Sequence, residues 1–258
     1  MHGLRLVCSI AALSLAILAY PTPSTPAPVD LNSLRLNSST EYVNSIDVNA
    51  NRSVVVSAEE HYTNTAARLV QNVVPGASFR LVDDHYVGDN GVAHVYFRQT
   101  AHDIDIDNAD FNVNVCSPLT LVKKSSLLQI GRDGQLLSFG HSFFTGALPS
   151  SYLDNPNLSS PVAALRGARD ALQLPLTIDN VSTEAADGQN EYIFRQAAGA
   201  VSDPKAKLVY LVKPDGTLAL TWRVETDMYE HWLLTYIDAE TTTVHGVVDY
   251  VADATYQV

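Results

Sequence analysis

The sequence predicts an α+β protein of two units, each an antiparallel sheet packed on one helix. Three observations carry that expectation. Apolar residues recur at helical spacing twice, at Tyr62, Ala66, Leu69, Val70 and Val73, and again at Val162, Leu165, Ala168 and Leu172. Each stripe is followed by segments that alternate apolar and polar residues, the pattern of half-buried strands. Turn signals punctuate those segments: Asp89-Asn90-Gly91, Gly131-Arg132-Asp133-Gly134 and Lys213-Pro214-Asp215-Gly216. A single amphipathic helix needs a sheet to cover its apolar stripe, so helix and strands belong together in each unit.

The elements follow in order. Arg5 precedes an apolar run over 6–18, with small residues at Ala16 and Ala19. The run is shorter than the ~20 residues that cross a bilayer. Residues 1–19 therefore read as a secretory signal cleaved between Ala19 and Tyr20, which predicts a secreted, extracellular product. Residues 20–53 form a leader: Pro21, Pro23, Pro26 and Pro28 give a polyproline-like start, and 31–53, rich in Asn and Ser, is expected to be loosely ordered. The first unit covers 54–150. Ser57-Ala58-Glu59-Glu60 is a capping box that starts its helix, and Pro75-Gly76 stops it. Strands are expected at 79–82, 92–99, 102–107, 109–115 and 136–140. The second unit covers 151–253. Ser160 caps its helix with Pro161 in the first turn, and Pro175 ends it. Strands are expected at 192–196, 207–212, 218–226, 232–238 and 244–251.

Composition sets outer bounds. A chain of 258 residues, 46% hydrophobic and 17% charged, can bury the cores of two modest domains. Lys and Arg number 16 against 28 Asp and Glu, a formal net charge of −12. That balance argues against nucleic acid or an anionic membrane as partner and suits a partner with a basic face. Cys8 leaves with the signal and Cys116 stands alone, so no internal disulfide is expected. Sequons at Asn37, Asn51, Asn157 and Asn180 are glycosylation candidates in a secreted chain.

Catalytic constellations find little support. Zinc peptidases with H-E-x-x-H place two imidazoles and a glutamate on one helical face. None of the eight histidines precedes a glutamate, and no two lie four apart. No catalytic residue, metal ligand or cofactor is therefore assigned to this chain. His94 and His102 read as polar strand or turn positions. The run Asp103-Ile104-Asp105-Ile106-Asp107-Asn108-Ala109-Asp110 has Asn108 and Asn114 where a calcium loop needs Gly and Glu. Its alternation suits a strand with the acids outward. There is no G-x-S-x-G elbow, P-loop or G-x-G-x-x-G. Trp222 and Trp232 are expected to fill the second core, with a partner-facing role for one of them as the alternative.

The stretch Gly91-Val-Ala-His-Val-Tyr-Phe-Arg-Gln-Thr100, followed by Asp107-Asn-Ala-Asp-Phe-Asn-Val-Asn-Val115, resembles the propeptide of fungalysin-type secreted zinc metalloproteinases. In that family a fungalysin/thermolysin propeptide motif precedes a PepSY-like domain, and both are broadly cystatin-like. The resemblance implies that 54–150 is the first and 151–253 the second, with maturation between Asp253 and Ala254 and residues 254–258 opening the enzyme. One departure is the insert at 116–130. Without it, Val115 meets Gly131 and the family's hairpin is restored; the insert is either a retained intron or a lineage-specific loop. The other departure is that no catalytic domain is present, so zinc would belong to that missing domain. The resemblance implies a non-catalytic propeptide that chaperones and inhibits a metalloprotease catalytic domain, in cis or in trans. The alternatives are a truncated form of a full extracellular zinc metalloendopeptidase and a stand-alone secreted protease inhibitor or binding module.

Overall fold

A computed structural model describes residues 29–36, 41–44, 61–116, 136–152, 155 and 157–253. The signal segment, Ser57, the glycosylation candidates Asn37 and Asn51, most of the 116–130 insert and Ala254 lie outside them.

The protein is α+β, with one large, mostly antiparallel sheet and two main helices. Helix α1 (Tyr62–Val73) is capped by His61, whose ring accepts from the Thr63 N–H. It buries Tyr62, Thr65, Ala66, Leu69 and Val70. The strands after it are β2 (Ser78–Leu81), β3 (Tyr86–Val87), β4 (Val92–Ala101), β5 (Ile104–Cys116) and β6 (Leu136–His141). Helix α2 (Pro161–Leu172) starts where expected, with the Ser160 hydroxyl accepting from the Ala163 N–H. It ends at Gln173, in the left-handed region at φ 53°, two residues before Pro175. Then come β7 (Ser182–Ala185), β8 (Glu191–Arg195), β9 (Lys205–Val212), β10 (Leu218–Met228), β11 (His231–Asp238) and β12 (Val244–Asp249). A short helix α3 (Tyr250–Asp253) closes the described chain.

The helix-then-strands order occurs twice, but the two runs of strands do not remain separate sheets. The path runs β1 (Glu41–Asn44)–β6–β5–β9–β10–β11–β12, with Ile106 of β5 bridged in parallel to Tyr210 of β9. One contiguous apolar cluster spans both halves, from Val95 and Phe111 to Tyr210 and Trp222.

Three sequence expectations change here. Helix α1 begins at Tyr62 behind His61, whose backbone is extended, and not at the Ser57 capping box. The segments 102–107 and 109–115 are one strand, β5. His102 and Asp103, at φ 50° and 64°, form the two-residue turn of the β4–β5 hairpin, with Ala101 opposite Ile104. Positive φ at both central residues is the hairpin turn that Asn-Gly usually serves. The leader is also not loose where it is described. Val29, Leu31 and Leu34 pack over Leu172, Leu233 and Val247, and Leu36 enters the cluster of Val209, Leu211, Leu234 and Tyr236. Strand β1, also from the leader, adds an edge to β6.

Candidate functional site: a buried acid–base seam and an aromatic groove

The seam arises from an irregularity in one hairpin. Arg98 of β4 faces Asp110 of β5, and Thr100 faces Asp105. Between those pairs β4 supplies only Gln99, while β5 supplies residues 106–109. A strand with surplus residues bends out of its ladder. Here the surplus carries Ile106, Asp107 and Asn108 away from β4 and against β9. Two side-chain amides complete the backbone bonding that the bulge interrupts. Asn108 Nδ2 donates to the Val212 carbonyl and its Oδ1 accepts from the Val212 N–H, both at 2.9 Å. Gln99 does the same for Phe144, at 2.8 and 2.6 Å.

The bulge delivers two carboxylates to the junction. Asp105 and Asp107 are buried, at 7% and 8% exposure, so these two acids do not point outward, whereas Asp103 in the turn and Asp110 beyond the bulge are exposed as expected. The outward expectation fails because both faces of β5 are covered here. Asp105 accepts from Arg80 Nε at 2.7 Å, Arg80 Nη2 at 2.8 Å and Lys207 Nζ at 2.8 Å. Burial pushes the Asp105 carboxyl up, but its hydrogen bonds to Arg80 and Lys207 and their charges outweigh that and hold it well below the usual carboxylate range. Asp107 accepts from Arg98 Nη1 at 2.7 Å, Arg223 Nη1 at 2.8 Å and the Tyr236 hydroxyl at 2.6 Å. Burial and the Asp107 charge push the Tyr236 phenol far up, so it stays protonated as a donor. Arg80 and Arg98 come from the first half; Lys207, Arg223 and Tyr236 come from the second. The arrangement neutralises charge and fixes geometry. Every oxygen is engaged by protein donors, which suits a joint and leaves no open position for a substrate.

The groove lies on the other side of Arg223. Arg223, Glu225, Trp232, Leu234, Tyr250 and Val251 enclose about 630 Å3. Trp222 is buried and donates its indole N–H to the Ser159 carbonyl at 3.0 Å. Trp232 is 45% exposed, so only one tryptophan fills the core. Residue alternation explains the difference: the α2-facing side of the second sheet carries Trp222 and Val224, and Trp232 falls on the opposite side with Leu234. The Trp232 indole N–H donates to Glu225 Oε1 at 3.0 Å, and its ring lies 5.6 Å from that of Tyr250.

The remaining sequence-predicted positions are dispersed. His94 hydrogen-bonds Asn114 at 2.7 Å and stacks on Tyr86; His102 meets the Pro149 carbonyl at 2.8 Å. Asn157 and Asn180 are exposed. Asp253 ends α3. Among the described residues no group of three or more His, Cys, Asp or Glu side chains is disposed to hold a metal ion. The seam was not anticipated from the sequence. Its signal was the pair of acids repeated inside an apolar strand, Ile104-Asp105-Ile106-Asp107.

A family model, the Fungalysin/Thermolysin Propeptide Motif, matches residues 77–117, which is β2 through β5. Over its whole length the chain is 78% identical to the extracellular metalloproteinase mep of Aspergillus niger and 52% identical to one from Aspergillus flavus. It is 47% identical, again over its whole length, to extracellular metalloproteinase 10 of Coccidioides posadasii. In each case it spans only 39% of the relative's length. Among solved structures, the Bacillus megaterium YpeB C-terminal domain covers 75% of this chain, which covers 65% of it in turn. At 11% identity and a TM-score of 0.34, that likeness is too slight to build on.

Proposed function

We propose, from the premise that this chain belongs to the propeptide region of the fungalysin-type extracellular metalloproteinases, that it is a secreted, non-catalytic chaperone and inhibitor of a metalloproteinase domain. The observation that carries the proposal is the pairing of 78% identity along the whole chain with a match to only 39% of the relative. The partner is the metalloproteinase domain, in cis within a longer protein or in trans. Any zinc would sit in that domain. Binding would stabilise the folded enzyme by mass action and lower the population of free protease.

Finer assignments belong to the same proposal. The first half, with the matched motif, and the second, PepSY-like half are cystatin-like units with boundaries near 54–150 and 151–253. Maturation falls between Asp253 and Ala254, at the end of α3. Asn157 and Asn180, both exposed, are open to glycosylation along the secretory route. Export is supported by the extracellular naming of the relatives and by the apolar run at 6–18. No helix among the described residues is long and apolar enough to cross a membrane.

The test is inhibition in trans. The purified chain is added to the Aspergillus niger enzyme freed of its own matched segment, and progress curves are followed. Dose-dependent slowing at up to micromolar concentration, with no effect on serine or aspartic proteases, is expected. No slowing by chain shown to be folded rejects the inhibitor role.

A further inference from the structure

We infer that the groove formed by Arg223, Glu225, Trp232, Leu234, Tyr250 and Val251 is the surface that docks on the metalloproteinase domain of the longer relatives. The inference rests on the propeptide reading above and gives that reading a location.

The groove concentrates what partner-binding surfaces need. Eight large apolar side chains are exposed among the described residues, and three of them, Trp232, Tyr250 and Val251, share this one groove. Tyr229, 95% exposed, sits on the turn between β10 and β11, three residues before Trp232. Trp, Tyr and Arg are the residues that carry most binding energy at interfaces. The anchors are also held in place before any partner arrives. Glu225 fixes the Trp232 indole, and Asp249 holds the His231 ring at 2.6 Å. Fixed aromatic anchors lose little conformational entropy on binding.

Chain direction selects the occupant. Val251 belongs to α3, the last described element, and Tyr250 opens it. In the relatives the matched segment is the N-terminal part, so the chain continues from this point into the remainder of the metalloproteinase. A domain tethered a few residues away meets the groove at an effective concentration in the millimolar range. A second copy of this chain fits less well, because each copy carries a net charge of −12. The groove face also continues a covered one. The same side of the sheet is sealed at Val209, Leu211 and Tyr236, with Leu36 of the leader packed there, and opens at Trp232.

The test separates docking from inhibition. Calorimetric titration measures binding of the full purified chain to the Aspergillus niger enzyme freed of its own matched segment. The Trp232→Ala/Tyr250→Ala chain is expected to bind at least about tenfold more weakly. Val251→Glu, which places a charge in the groove on a half-exposed side chain, is expected to do the same should the aromatic variant melt early. Tyr86→Ala, an equally exposed ring on the first half, should change binding by less than about twofold. Groove variants that bind like wild type overturn the docking site while leaving inhibition standing. Wild type that binds through the groove without slowing proteolysis supports docking and rejects inhibition. Absence of any binding by folded wild type removes both. Groove variants that only abolish self-association assign the surface to a second copy instead.

Discussion

At the scale of single residues, the decisive side chains are acids placed where a strand should be apolar. Asp105 and Asp107 are tolerated because five donor side chains converge on them, and a buried charge without partners is strongly unfavourable. This was only half legible in the sequence. Ile104-Asp105-Ile106-Asp107 shows strand periodicity, but alternation assumes one wet face, and nothing local shows that β9 and β10 cover it. The cations that do so lie 102 and 116 residues away, at Lys207 and Arg223. Asp105 yields a pH prediction. Its folded-state value is depressed, so its stabilising contribution is complete above the unfolded carboxylate value, about 4. That contribution drains as pH falls toward the lower folded value. Asp105→Asn should therefore cost about 3 kcal/mol at pH 7. Urea unfolding across pH should show the gap between wild type and variant constant from pH 7 to 5 and narrowing below pH 4. A gap that stays constant to pH 2.5 would mean that the carboxylate charge is not what stabilises the seam.

At the scale of elements, helices and turns were the most legible because their signals are local. Ser160-Pro161 starts α2 as read, and Lys213-Pro214-Asp215-Gly216 is a turn, with Gly216 at φ 77° and its N–H donating to the Lys213 carbonyl at 2.9 Å. The described part of the leader was misread because its partners are remote: Asn- and Ser-rich composition hides Leu31, Leu34 and Leu36, which find β11, β12 and α2. Gly246 gives a test of that packing. A Cβ there would clash with the Leu36 side chain, so Gly246→Ala must displace Leu36. Overpacking of this kind costs about 1–3 kcal/mol. Limited proteolysis should cut the variant near residues 29–36 well before wild type. The insert is an element-scale question as well. Val115 lies opposite Leu136 and Asn114 opposite Ser138, so β5 and β6 are a hairpin whichever loop joins them. Removing 116–130 takes Cys116, the last residue of β5, and leaves the five residues 131–135 to join the strands. Shortening a loop fourfold recovers about 1 kcal/mol of closure entropy. The deletion chain should melt about 2–4 °C higher, and a lower melting temperature would make 116–130 a structural part of the sheet.

At the scale of the whole molecule, the double helix-then-strands plan was visible, but its fusion into one sheet was not. Fusion depends on a bulge that no turn residue announces and on Asn108, whose amide substitutes for a peptide group beside Val212. The consequence is mechanical. Each half supplies cations to a carboxylate between them, and the apolar cluster runs through the junction. The halves should therefore melt as one cooperative unit despite their repeated plan. Asp107→Ala leaves Arg223 without its carboxylate at the junction, takes from Arg98 one of its two carboxylates (Asp110 remains) and removes the acceptor of the Tyr236 hydroxyl. Breaking a buried pair in this way costs about 3–5 kcal/mol. That loss falls on the junction rather than on either helix-covered core, so the variant should show two calorimetric transitions where wild type shows one. Arg223 ties this to binding, because it grips Asp107 on one side and lines the groove on the other. Protease binding should therefore restore part of the lost coupling, merging the two transitions when saturating enzyme is present. Two transitions in wild type, or a single early one in Asp107→Ala, would show that the seam does not join the halves.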